Sequence, residues 1–206
     1  EKMLLADSNF FKFFNFTLIY GHPDTVLNGK DKLVITESAA KRYFGYTGKG
    51  DTSPLGKTFL LAQGYPVKVS GIAADPPVNS HIHFSMIFSI SSWDEANKGN
   101  WISNRVATYF KLSPNTPLGS VTSKFNILIE KYVSHELEQL NKIDLDEFKS
   151  HGNDLQFFAQ PMTDIHLRSQ LSDEIEVNSD IQYIYIFGSV ALLITILACI
   201  NFMNLS

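Results

Sequence analysis

The sequence predicts an α+β globular part followed by a transmembrane helix, and three observations predict it. From Ile181 to Ser206 there is no Asp, Glu, Lys, Arg or His, so every charged side chain lies upstream of that point. In the upstream region, apolar residues recur with period two in some runs and with period 3.6 in others, the marks of strands and helices in one chain. Hydrophobic residues make up 44% of the 206 residues and include 16 Phe and 8 Tyr. That is enough to build a sizeable core and too apolar for intrinsic disorder.

Taken in order, Ser8 to Tyr20 opens with Phe10, Phe11, Phe13, Phe14 and Phe16, and reads as a short helical turn followed by an extended segment. Gly21 to Asp24 is a turn by its Gly and Pro content. Lys32 to Ile35 is a strand. Thr36 offers an N-cap oxygen and Glu37 suits a first helical turn. Ala39, Ala40, Tyr43 and Phe44 then give one apolar face, and Gly45 can close the helix in the left-handed conformation. Gly45 to Pro54 is a loop. Lys57 to Leu61 and Tyr65 to Ala74 form a hairpin ended by Asp75-Pro76-Pro77. Phe84 to Ile90 is a strand, Ser91 to Ser103 a loop or short helix, and Val106 to Leu112 a further strand. Thr116 and Pro117 open the longest soluble helix. Val121, Phe125, Leu128, Ile129, Tyr132 and Leu140 mark its apolar stripe, and a charged linker follows. Leu155 to Met162 is a strand and Thr163 to Ser172 a loop.

The last segment is apolar on every helical face. Twenty-five helical residues rise about 38 Å at about 1.5 Å each, more than the roughly 30 Å hydrocarbon core of a bilayer. Between Ile184 and Met203, eleven residues are Leu, Ile, Phe or Val. At about −0.3 to −0.6 kcal/mol each, they favour insertion by roughly 3 to 7 kcal/mol before polar costs. The span is expected to be carried by Tyr183, Ile184, Phe187, Leu192, Leu193, Ile196, Leu197, Ile200 and Phe202. Tyr183 and Tyr185 suit the interface, and Asn201 and Asn204 lie near the far end. Between Arg168 and the span stand Asp173, Glu174, Glu176 and Asp180 without a Lys or Arg, which favours a globular part outside the cytoplasm. Glu176 to Tyr185 contains no Pro or Gly and is expected to form an unbroken helical stalk.

Charge and motifs exclude several classes. With 17 Lys+Arg against 21 Asp+Glu, the formal net charge is −4, which argues against nucleic acid as a partner. The single cysteine, Cys199, cannot form an internal disulfide or a Cys-based zinc site. Residue 1 is Glu without a signal-peptide pattern, so the chain reads as a fragment of a longer protein or a processed product. His81/His83 and Asp164/His166 have the i, i+2 spacing of metal ligands, but no neighbouring group completes a tetrahedral set. Gly48-Lys49-Gly50 lacks the Ser/Thr of a phosphate loop. The pairs Asp144/Asp146 and Asp173/Glu174 read as solvated charge, and the Phe10 cluster reads as a core or subdomain contact. No catalytic residue, cofactor site or metal site is expected, and the chain is not expected to be an enzyme.

Several segments together resemble the MacB-like periplasmic core domain of FtsX-type ABC transporter permeases, in a Bacteroidetes-like style. They are Asp7-Ser8-Asn9-Phe10-Phe11 with the Phe-rich run to Gly21, and Leu33-Val34-Ile35-Thr36-Glu37-Ser38-Ala39-Ala40 with Tyr43-Phe44-Gly45. Pro54-Leu55-Gly56-Lys57, Val67 to Ile72 and Asp75-Pro76-Pro77-Val78-Asn79-Ser80-His81 follow. Thr108 to Leu112 and Pro161-Met162-Thr163-Asp164-Ile165-His166-Leu167 complete the series. The resemblance implies a mixed porter-like subdomain (residues 1–83 and 153–175), an inserted second α/β subdomain (84–152), and a stalk with the start of a transmembrane helix (176–206). It implies an inner-membrane permease with its globular part in the periplasm and a further membrane helix before residue 1. Cytoplasmic ATP hydrolysis would drive periplasmic motion in efflux, lipoprotein or peptide handling. The implied partners are an ABC ATPase, separate or fused, a second permease copy, the lipid bilayer, and a periplasmic adaptor or substrate protein. The competing classes are an extracytoplasmic ligand-sensing domain of a membrane receptor and a membrane-anchored hydrolase.

Overall fold

A computed structural model describes residues 1–48, 53–93, 101–102, 106–169, 171 and 174–205. The chain divides into two compact units, Glu1–Phe157 and Phe158–Ser206.

The first unit is built on a six-stranded mixed sheet. Its strands are β1 (Met3–Ala6), β2 (Leu18–Tyr20), β3 (Lys32–Thr36), β4 (Thr58–Leu60), β5 (Pro66–Ala73) and β6 (Met86–Ser89). The order is β1-β6-β3-β5-β2, and β4 also pairs with β5. β3 is central, parallel to β5 and antiparallel to β6. Leu33, Val34 and Ile35 are buried on both faces, as the continuous apolar run of a covered strand requires. β4 and β5 form the expected antiparallel hairpin. β6 pairs with β1 and β3, so the sheet continues past Phe84, where the second subdomain is expected to begin.

Each sheet face carries its own core. On one, α1 (Phe10–Phe14) packs with Val26, Leu27, Val34, Phe84 and Ile87. On the other, α2 (Glu37–Phe44) packs Ala39 and Ala40 with Leu33, Ile35, Val69, Ile72, Met86 and Phe88. The Thr36 side chain accepts from the Ala39 amide, and Gly45 closes α2 at φ 64° while its amide reaches the Ala40 and Lys41 carbonyls. Both signals were legible from the sequence.

Strand β1 was not anticipated; it is a short edge strand whose ladder to β6 joins residues more than 80 positions apart. The helix expected from Thr116 to Leu140 is broken into α3 (Leu118–Thr122), α4 (Phe125–Leu128), a π turn at Ile129–Val133 and α5 (Ser134–Asn141). The cause lies in Gly119-Ser120-Val121-Thr122-Ser123. Its hydroxyls donate back to the carbonyls of Pro117, Gly119 and Ser120, and such residues are poor helix formers. The charged linker contains α6 (Leu145–Ser150), capped by the Asp144 carboxylate on the Glu147 amide at 2.7 Å. Ile129, Val133 and Leu137 form a third small core with Leu145, Phe148, Leu155 and Phe157.

Val106 to Leu112 is not a strand, because no ladder partner meets it among the described residues; Tyr109 is held by its side chain instead. Leu155 to Met162 is not a strand either. In the first unit, Leu155 and Phe157 pack on the third core. In the second, Pro161 opens α7 (Met162–Arg168), which occupies most of the expected loop. The expected stalk is also corrected. α8 begins at Ile181 and runs to Leu205, so Glu176 to Asp180 is not helical. Asn178, Ser179 and Asp180 are residues that favour caps over helix interiors. The Ser179 amide donates to the His166 carbonyl at 3.0 Å, and the Asp180 carboxylate accepts from the Gln182 amide at 2.8 Å. The expected loops at Gly45–Pro54 and Ser91–Ser103 lie partly outside the described residues.

Candidate functional site

The densest side-chain constellation is the aromatic hub around α1. Crowding five Phe into seven residues puts rings on both sides of this short helix. Phe10 and Phe11 are buried. Phe10 stacks on Phe16 with centroids 5.5 Å apart, and both meet Phe84 edge-on at 5.9 and 5.2 Å. Phe14 meets Tyr109 edge-on at 5.0 Å. These separations lie in the favourable range for aromatic pairs, each worth about 0.5–1.5 kcal/mol beyond area burial. Tyr109 Oη and His81 Nε2 share a hydrogen bond of 2.6 Å, and the Lys111 ammonium lies 4.9 Å above the Phe13 ring. The hub therefore fastens three distant segments, 10–16, 81–84 and 106–111, into one body. Its ring contacts, stacked and edge-to-face, are apolar, and with one hydrogen bond and one cation–π contact at the rim they suit rigidity rather than bond-making chemistry.

The other singled-out residues have structural roles. His81 is engaged with Tyr109. Among the described residues, no three His, Cys, Asp or Glu side chains gather as metal ligands. Asp164 sits in the first turn of α7 and His166 in its last. Asp144 caps α6, and Asp146 lies in that helix's first turn, where carboxylates favour the dipole. Glu174 accepts from the Ser169 hydroxyl and from the Leu171 amide. Asp173, Lys49 and Gly50 lie outside the described residues; Gly48 is in the left-handed region. Burial raises the pKa of the Tyr46 hydroxyl above its ordinary value, helped by a hydrogen bond and charge from Tyr20 and by Glu37.

Sequence reasoning missed the His81–Tyr109 bond, which no spacing announces across 28 residues. It also missed α7, although Pro161 before Thr163-Asp164 and the basic residues at its end were readable start and stop signals.

The second feature is α8. Tyr183, Ile184, Phe187, Leu192, Leu193, Ile196, Leu197, Ile200 and Phe202 all lie on it, all exposed. Ile181–Asn204 is long and apolar enough to cross a membrane, and no part of its most apolar window is covered by protein. Its Ser189 and Thr195 hydroxyls are satisfied internally, on the Tyr185 carbonyl at 2.7 Å and the Ala191 carbonyl at 2.8 Å. An apolar solvent demands such internal pairing.

Comparison with known proteins follows the same outline. The family described as the MacB-like periplasmic core domain matches residues 2–126. A crystal structure of a domain assigned to a permease from Porphyromonas gingivalis is 27% identical, with a TM-score of 0.52 over 66% of this chain and 61% of that one. The periplasmic region of MacB from Actinobacillus actinomycetemcomitans is 18% identical, with a TM-score of 0.35 over 73% of this chain and 64% of that one. The chain thus spans less than two thirds of either structure's length. No curated protein matches it. With the family matched over more than half its residues, around the sheet, α1, α2 and the aromatic hub, the chain belongs to the MacB-like periplasmic core domain family of ABC transporter permeases.

Proposed function

We propose that this chain is the periplasmic domain and adjoining membrane helix of an inner-membrane ABC permease, and that it converts cytoplasmic ATP hydrolysis into periplasmic conformational change. The observation that carries the reading is α8, a 25-residue helix with no charge in its first or last turn and an apolar circumference exposed from Gln182 to Asn204. An exposed helix of this kind needs lipid or neighbouring membrane helices around it. The globular part acts as a mechanical body and catalyses no reaction of its own. Its sheet, covered on both faces, is suited to that task because close-packed interiors compress little. The partners are an ABC ATPase, separate or fused, a second permease copy, and a periplasmic adaptor or substrate protein in efflux, lipoprotein or peptide handling.

The test is hydrogen–deuterium exchange of the intact permease with its ATPase, with and without ATP. Nucleotide-dependent protection in residues 1–169 is the expected result. Identical exchange in all nucleotide states, with active ATPase present, removes the coupling role. The ligand-sensing alternative predicts instead that protection responds to a small molecule and not to nucleotide.

A further inference from the structure

Residues 106–112 have the composition of a strand, rich in β-branched and aromatic side chains, yet no ladder takes them up among the described residues. Side chains hold the segment in place instead. Tyr109 meets Phe14 edge-on at 5.0 Å and shares the 2.6 Å hydrogen bond with His81, and the Lys111 ammonium lies 4.9 Å above the Phe13 ring. Tyr109 and Lys111 stand two residues apart and both reach α1, which is the alternation of an extended chain. The other set of side chains faces outward: Val106 is 52% exposed, Phe110 45% and Leu112 37%. Thr108, between them in the same set, is exposed too. Among the described residues, the backbone groups of Val106, Ala107, Thr108, Phe110, Lys111 and Leu112 make no hydrogen bond within the protein.

Two features select what this segment accepts. Unpaired amides and carbonyls along an extended stretch are a template for one more strand, so the occupant is a polypeptide in extended form. Residues 96–129 contain Lys98, Arg105, Lys111 and Lys124 and no Asp or Glu, in a chain whose formal net charge is −4. This locally basic stretch of an acidic chain complements acidic side chains. A strand laid beside it presents alternate side chains to its two faces. One set covers Val106, Phe110 and Leu112, and the other meets Lys111 as an opposite-charge neighbour. Because Tyr109 and Lys111 are already fixed on α1, docking costs little further conformational entropy.

We propose that residues 106–112 are a docking strand for an extended segment of a partner protein, one in which apolar and acidic residues alternate. The inference stands on the sheet-bearing unit alone and does not depend on the coupling role of α8.

The test uses the intact permease in lipid nanodiscs and the fluorescence anisotropy of a labelled synthetic peptide of alternating Val and Glu. Saturable binding below about 1 mM is expected. Strand pairing uses one edge of the peptide. N-methylation of every second residue should therefore abolish binding in one frame and spare it in the other. Phe110→Asp should weaken binding about tenfold or more, while Leu60→Asp, at another exposed apolar residue on β4, should leave it unchanged. The proposal is overturned by no saturable binding, by the same result in both N-methyl frames, by a folded Phe110→Asp variant that binds normally, or by equally tight binding of the peptide with Lys in place of Glu. The N-methylated pair is read on the unaltered protein, so it decides the matter even where Phe110→Asp fails to fold. Nucleotide-dependent deuterium exchange reports the coupling role separately.

Discussion

Thr36 joins two elements through one hydroxyl: it ends β3 and accepts from the Ala39 amide at 3.3 Å to start α2. Thr36→Ala leaves that donor unmet in a buried position, and a destabilisation of about 1 kcal/mol is expected from denaturant unfolding of the purified protein. Gly71 has a different constraint. A Cβ there would come within 2.9 Å of Val26 Cγ1 and 3.1 Å of the Tyr20 carbonyl oxygen. Val26 has little room to retreat, because it is buried in the core, and the Tyr20 contact is with backbone. Gly71→Ala is expected to cost about 1–3 kcal/mol, as overpacking does, and to lower the unfolding midpoint more than Thr36→Ala. Tyr46 sets a pH dependence. Its raised pKa means that the folded state holds its proton more tightly than the unfolded state. The associated stability is fully present below the unfolded value of about 10 and is lost as pH rises through the higher folded value. Unfolding followed from pH 8 to 11 should show a decline above pH 10 that is shallower in Tyr46→Phe.

At the scale of elements, what the sequence revealed depended on where each element's partners lie. α2 was readable because its cap, first-turn acid, apolar face and closing glycine fall within ten residues. α8 was readable because a span needs nothing but composition and length. Val106 to Leu112 and Leu155 to Met162 have strand-like composition, yet a strand exists only as half of a ladder, and no pattern within seven or eight residues specifies a partner. The same holds for β1. The aromatic hub lay between these extremes: its Phe residues were visible, while its connection through Tyr109 to His81 was a matter of tertiary placement. The membrane reading of α8 carries its own prediction. Leu193→Arg places a charge near the middle of the span at a cost of about 2.5–3.5 kcal/mol, plus the lost Leu contribution, against a total gain of roughly 3–7. A large drop in the inserted fraction is expected in a glycosylation-site insertion assay. Gln182→Arg, one residue into the helix, should insert normally, because its charge can reach the interface.

At the scale of the whole molecule, the proposed function makes the chain between α7 and α8 the place where motion passes. That connection is not a continuous helix. It is tied down by short-range bonds: Ser179 to the end of α7, Glu174 to Ser169 and Leu171, and Asp180 to the first turn of α8. On the proposed reading, a displacement of α8 would pass through a link that, among the described residues, is held by these hydrogen bonds rather than by an uninterrupted helical rod. Such a link can be softened without touching either helix. Inserting Gly-Ser-Gly-Ser after Val177, an exposed position between the Glu174 and Ser179 contacts, adds a stretch that behaves as flexible coil. The membrane helix and ATPase site are untouched, so ATP hydrolysis by the intact assembly should persist. The nucleotide-dependent change in deuterium uptake across residues 1–169 should shrink toward zero. Full retention of that change in the insertion variant would show that force does not travel through this link, and would move the coupling path to the other end of the domain, where the chain enters β1.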